Sequence, residues 1–189
     1  MSRLGFHRSL HLSRPRVACR APPRRLRYSR MEQSLAREGG TMSKVSGTVD
    51  IKARPRQVFE FLWNCQNLPK YWPVSQVEVL EEGERRIRFR PEFDLGGRKV
   101  SADCVQQIAE EGRKITLQGT QGMKMEATWL LQELRDGTRV MYMADYVAPG
   151  SVLERFRLDK QVSQAFTEGF QKLKGAIEEA VSASARRAA

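Results

Sequence analysis

Hydrophobic positions change their period twice between residues 45 and 186, and each change marks a new kind of element. Val45-Ser-Gly-Thr-Val-Asp-Ile51 alternates loosely, which predicts a first strand. Pro55 then suits the first turn of a helix, where its missing N–H is harmless. Val58, Phe59, Leu62 and Trp63 follow at offsets of one, four and five, giving a short amphipathic helix. Asn67-Leu-Pro-Lys-Tyr-Trp-Pro73 predicts a second helical turn or compact loop that ends at Pro73.

From Ser75 the period is two. Val77 and Val79 share a face, and Glu81-Glu-Gly83 ends that strand. Ile87 and Phe89 face one way while Arg86, Arg88 and Arg90 face the other, as in an antiparallel strand with one solvated side. Val100, Ala102, Cys104, Gln106 and Ile108 alternate against Ser101, Asp103 and Gln107, and Glu111-Gly112 makes a turn. Ile115 and Leu117 continue the pattern, and Gly119-Thr-Gln-Gly122 reads as a turn between strands. Met125, Ala127, Trp129 and Leu131 then share a face. Asp136-Gly137 is the best hairpin signal, because both positions tolerate positive φ. Val140 to Val147 is apolar nearly throughout, which predicts a strand that is central or covered on both sides.

The last element is a helix of eight or more turns. Ser151 and Glu154 form a capping box at its start. Val152, Phe156, Val162, Phe166, Phe170, Leu173, Ile177 and Val181 form its apolar stripe. Gly169 costs that helix about 1 kcal/mol relative to Ala, so its presence there suggests close approach of a neighbouring element. The order is strand, two short helices, six antiparallel strands, long helix. A seven-stranded sheet is too large to stay flat. Curled around the terminal helix, it forms one α+β domain over 45–186 with its natural hollow between sheet and helix.

Charge separates a tail from this domain. Residues 1–44 hold eleven of the 33 Lys and Arg but only Glu32 and Glu38 as acids, so they carry +9 of the net +11. The basic balance therefore says little about nucleic acid for the folded part, for which none is expected; an Arg-rich arm that orders on RNA is the competing reading. Pro15, Pro22 and Pro23 and scattered apolar residues predict a disordered tail. Met1–Met31 lacks acids, as a mitochondrial presequence does. The preferred alternative is translation starting at Met31 or Met42 and a bacterial cytoplasmic protein. No run of eighteen apolar residues is present. Cys19, Cys65 and Cys104 are odd in number and widely spaced, which suggests a reducing compartment.

Ala53-Arg-Pro-Arg-Gln-Val-Phe-Glu-Phe-Leu62 after the first strand, Asn67-Leu-Pro-Lys-Tyr-Trp-Pro73 leading into Val77-Glu-Val-Leu80, and the capped terminal helix together look familiar. Over about residues 45–182 the chain resembles the START-like (SRPBCC) superfamily of helix-grip domains, in particular its polyketide cyclase/dehydrase and coenzyme Q-binding (Coq10-like) branch. The resemblance implies an enclosed apolar cavity for a lipid, an isoprenoid quinone or a polycyclic compound. Such a protein is a carrier or chaperone of a hydrophobic small molecule, with transient contact to a membrane or membrane enzyme; a polyketide aromatase/cyclase or dehydratase is the alternative, and a partner-binding regulatory protein the third.

The residue inventory narrows the chemistry. Both histidines, His7 and His11, lie in the tail, so a His-centred acid/base pair or His-ligated metal is excluded from the domain; no metal and no cofactor are expected. The cavity wall is expected from Phe59, Trp72, Phe89, Cys104, Leu117, Met125, Trp129, Tyr142, Phe166 and Phe170. Cys65 is a packing residue or a reactive thiol. A cyclase would need polar groups inside, with Asp145 and Tyr142 the first candidates and Tyr146, Asp103, Arg98 and Gln106 behind them. Arg88 and Arg90 read as a charged outer face. Tyr71 and Trp72 beside Lys70 have the composition of a membrane-interfacial patch, and segment 64–74 would gate the cavity.

Overall fold

The structure is a computed structural model and describes residues 42–95, 97–147 and 152–188; the side chains at 95, 98, 152–156, 187 and 188 lie outside that description. Most of the basic tail and the capping box at Ser151 therefore fall outside it. Strand β1 (Ser43–Ile51) starts two residues earlier than the alternation suggested. Helix α1 (Pro55–Trp63) begins with Pro55 in its first turn, and the Gln57 side chain accepts from the Arg54 amide at 3.1 Å. A 3₁₀ helix (Cys65–Lys70) follows directly, its start held by Asn64 Oδ1 accepting from the Gln66 amide. Strands β2 (Val74–Glu82), β3 (Arg86–Leu95), β4 (Arg98–Glu110), β5 (Lys114–Gly122), β6 (Lys124–Leu134) and β7 (Gly137–Val147) then form hairpins, and α2 (Val152–Ala188) ends the chain.

All seven strands join one antiparallel sheet in the order β1-β7-β6-β5-β4-β3-β2. The first strand thus pairs with the last, and the sheet curves around α2. This is the helix-grip fold. Alternation puts Ile87, Phe89, Cys104, Ile115, Trp129, Val140 and Tyr142 on the inner face, all buried, and leaves Arg86, Arg88 and Arg90 on the exposed outer face. Helix α2 buries Leu158, Val162, Phe166, Leu173 and Ile177, four of them from the expected stripe and Leu158 in addition.

One local expectation fails for a physical reason, and two are sharpened. Gly119–Gly122 is not a turn: it continues β5, because β4 is long enough to go on pairing, with Ala102 opposite Gly122 and a register shift after Asp103 absorbing the extra residue. The chain reverses instead around Met123, with Gly122 at φ 77°. The β6–β7 hairpin forms at Asp136-Gly137, but only Gly137 takes a positive φ. Finally, β7 is interior in the sheet yet covered on one face only. Tyr142, Ala144 and Tyr146 are buried, while Met143 between them is 48% exposed.

Two glycines set how closely α2 can lie. A Cβ on Gly47 of β1 would sit 3.2–3.3 Å from the rings of Phe166 and Phe170. One on Gly169 would meet the Tyr71 carbonyl oxygen at 2.8 Å, below any ordinary contact. The neighbouring element that Gly169 admits is therefore the end of the segment after α1.

Candidate functional site

The inner face is organised in rows across the strands. Trp129, Tyr142 and Gly47 are successive register partners, and so are Phe89, Cys104 and Gly119. The glycine in the first row leaves space that Phe166 and Phe170 of α2 fill. Rings then stack into one cluster: Trp129 to Tyr142 at 4.3 Å between centroids, Phe166 to Phe170 at 4.8 Å, Tyr142 to Phe166 at 5.1 Å. Trp72 reaches in from the segment after α1, 5.3 Å from Phe166 and 6.0 Å from Tyr142.

Beside this cluster lies a cavity of about 60 Å³. Its wall includes Trp72, Phe89, Cys104, Leu117, Met125, Trp129 and Tyr142 from the ten residues expected there. Phe59, Phe166 and Phe170 stand elsewhere: Phe59 is buried in the core, and the two helix rings pack in the aromatic cluster. Pro91, Met123, Ala144 and Val162 line the cavity too and were missed. Strand parity marks Pro91 and Ala144 as inward-facing, so that signal was present; Met123 sits in the turn that replaced the expected one.

Polar groups inside are few. Gln106 is buried, and its amide donates to the carbonyls of Leu62 and Trp63, at 3.2 and 3.0 Å. That pins the end of α1, whose last carbonyls have no helical partner, onto β4. Tyr71 and Tyr142 are buried, and burial pushes both hydroxyls well above the ordinary tyrosine value. Burial, then the Asp159 carboxylate, pushes Tyr146 up to about 12. Burial likewise takes the Cys104 thiol up to about 12 and raises Cys65. Both thiols are thus held protonated, which suits packing and removes the thiolate a reactive cysteine needs.

Asp145 does not reach the cavity. Its parity on β7 is opposite to that of Tyr142, so its carboxylate turns outward and lies 3.8 Å from Lys44, its register partner on β1. Asp103 also faces outward, where Arg90 bonds it and holds its carboxyl below the usual range; Arg90 also bonds Glu78. Arg88 pairs with Glu81 on the same face. The Arg98 side chain lies outside the described residues. Tyr71 and Trp72 are turned inward, with Tyr71 buried against Trp129 in an edge-on contact at 6.3 Å, rather than displayed outward as an interfacial patch. Lys70 lies over the Phe61 ring at 5.4 Å.

A sheet gripping a helix around an apolar interior defines a class, and comparison with known proteins gives the family. Residues 42–178 match the family described as polyketide cyclase/dehydrase and lipid transport. The chain belongs to that family. No curated protein matches it in sequence. Among solved structures it is similar to protein TTHA0849 of Thermus thermophilus, with a TM-score of 0.66 and 22% identity over 73% of this chain and 99% of that one. It is also similar to the Zhui aromatase/cyclase of Streptomyces sp. R1128, with a TM-score of 0.65 and 20% identity over 75% and 96%. A START superfamily protein of Mycobacterium smegmatis gives 0.61 and 15% over 72% and 97%. At these identities the structures share the fold.

Proposed function

We propose that this protein binds a hydrophobic small molecule between the inner face of the sheet and α2, as a carrier or chaperone. The observation that carries the reading is the small, almost wholly apolar cavity against the aromatic cluster. The family description, which joins cyclases and dehydrases to lipid transport, supports it. A lipid, an isoprenoid quinone of the kind the coenzyme Q-binding branch takes, and a polyketide-like compound are the candidate ligands.

Size decides how binding happens. A dry cavity of about 150 Å³ is what takes up one benzene. At about 60 Å³ this one is too small for any of the three. The closed interior must therefore enlarge, and segment 64–74 is the part placed to move. It contributes Leu68, Tyr71 and Trp72 to the cavity wall, and Leu68 and Trp72 are only partly buried. Lifting Trp72 would vacate the space it fills against Tyr142 and Phe166, and the ligand would gain about 25 cal/mol for each Å² it removes from water. The same movement would bring Tyr71 and Trp72 out beside Lys70, where they could meet a membrane surface during delivery.

Native mass spectrometry of the gently purified protein, followed by organic extraction, tests the reading. A discrete extractable adduct is expected, and hydrogen exchange of 64–74 should slow when it is bound. A clean mass with no uptake from a lipid and quinone mixture would sink the proposal. The aromatase/cyclase reading has one observation in its favour, the buried Tyr142 on the cavity wall, whose hydroxyl could polarise a bound carbonyl. Unchanged turnover of an offered polyketide by Tyr142→Phe would remove Tyr142 from that role. A docking surface is the least supported, since the exposed large apolar side chains among the described residues are Val79 and Leu80 on β2 and Met143 on β7, with β3 to β6 between them.

A further inference from the structure

Behind the cavity wall at Tyr146 and Val162 lies a polar cluster drawn from both ends of the fold, whose other members, Ser43, Asp159 and Ser163, stand one layer back from the lining. Ser43 opens β1 and is the register partner of Tyr146, near the end of β7. Asp159 and Ser163 are four residues apart on α2 and so share a helix face, with Val162 beside them. The Tyr146 hydroxyl donates to the Asp159 carboxylate and accepts from Ser43 and Ser163. Tyr146 and Val162 both line the cavity.

The bonding of this cluster is incomplete. Asp159 Oδ1 is buried and has no hydrogen-bond partner among the described residues. A carboxylate has lone pairs for about four donors, and a buried acceptor left unmet is costly in a fold that otherwise satisfies its interior. No other side-chain nitrogen or oxygen among the described residues is buried in this condition.

We propose that this cluster is the polar pole of the binding site, and that the natural ligand is an apolar molecule whose terminal hydroxyl donates to the Asp159 carboxylate. The inference rests on the hydrophobic-ligand reading above and says which ligands that interior selects. A fatty acid or phospholipid would set an anion against the half-buried Asp159 carboxylate. A quinone or ester carbonyl offers only lone pairs and leaves Oδ1 unmet. An ammonium brings three donors and a large desolvation cost to a single free oxygen. A phenol, quinol or alcohol brings one donor on an uncharged group and meets the deficit. Tyr146 is a positioning residue: its hydrogen bond fixes the carboxylate, and the two serines fix Tyr146.

The test uses the full chain and one scaffold with different ends: 2-naphthol, 2-methoxynaphthalene, 2-naphthoate and 2-naphthylmethylammonium, followed by calorimetry and by quenching of tryptophan fluorescence. Naphthol should bind about tenfold more tightly than each of the others, the worth of one well-placed hydrogen bond. Asp159→Asn, checked for native circular dichroism, should shrink that preference to within about threefold, chiefly by admitting naphthoate. Tyr146→Phe should keep the order of ligands, since it frees a carboxylate oxygen rather than removing one. Equal binding of all four, or a preference for naphthoate that Asp159→Asn leaves unchanged, overturns the hydroxyl assignment while the hydrophobic-ligand reading stands. Failure to bind any of the four and also the neutral dye Nile red overturns both.

Discussion

Strand β4 carries Cys104 and Gln106 on one side and Asp103 and Gln107 on the other, and the two sides of the sheet hold together by different means. On the inner face of the sheet the thiol and the phenols are kept neutral: Cys104, Tyr142 and Tyr146 are all pushed upward by burial. Outside, charges are kept charged, with Arg90 bonded to Asp103 and Glu78, Arg139 to Asp50, and Lys99 to Glu92. Solvent screens the outer pairs and cannot reach the inner rings. Under the proposed function, binding specificity belongs to the inner face, and the outer pairs mainly hold the strands in register.

The largest break in that contrast comes from deleting a ring inside. Trp129→Ala should cost about 3–5 kcal/mol in urea unfolding, because it removes the partner of Tyr142, Tyr71 and Phe170 together. Thr128→Ala, one residue away on the other face, should stay within about 0.5 kcal/mol. Alkali comes next. Cys104 and Tyr146 have folded values near 12 against ordinary values of 9.0 and 10.0. Raised values mean that their contribution is complete below pH 9 and is lost as pH climbs through 12. Unfolding free energy followed over that range should fall, and less steeply in Cys104→Ala.

Gly169→Ala sets two effects against each other. Alanine gains the helix about 1 kcal/mol, but its Cβ would lie 2.8 Å from the Tyr71 carbonyl. Overpacking against backbone should win, for a net loss of about 1–2 kcal/mol and faster hydrogen exchange in 64–74. A gain in stability would show that this segment yields without cost. Smallest are the outer pairs. Asp50, Glu92 and Asp103 are held below their ordinary values, chiefly by hydrogen bonds from Arg139, Lys99 and Arg90. Lowered values mean that the contribution is present above about pH 4 and fades as pH falls through the folded values. Arg90→Ala should blunt this slightly at low salt and not at all at high salt.

Much of the fold was legible because period-two alternation reports which side of a strand is buried. Ile87 and Phe89 against Arg86, Arg88 and Arg90 needed nothing else. Where the pattern was silent, pairing decided. Gly119–Gly122 has turn composition but is strand because β4 continues beside it, and no local signal reveals the length of a neighbour. The cavity wall was legible in the same measure. Residues on the inner rows fell where parity put them, whereas Phe166 and Phe170 left the wall because Gly47 gave them somewhere to pack. Asp145 looked inward only while β7 seemed covered on both faces; strict alternation from Tyr142 turns it out. Asp159 sat in a helix among other charges, and nothing marks it until Tyr146 is seen beside it.

The pairing of β1 with β7 has a consequence for how the molecule is made. Ser43 meets Tyr146, and Lys52 donates its amide to Glu178 at 2.9 Å, so the earliest strand waits for the last elements to emerge. During synthesis the β2–β7 meander exists before its helix does, with Trp129, Tyr142 and the other inner rings uncovered. Such distant contacts slow folding toward the millisecond-to-second range. The interval in which a ribosome-bound chain shows its sticky side, open to chaperones and to ligand alike, ends only when α2 clears the exit tunnel.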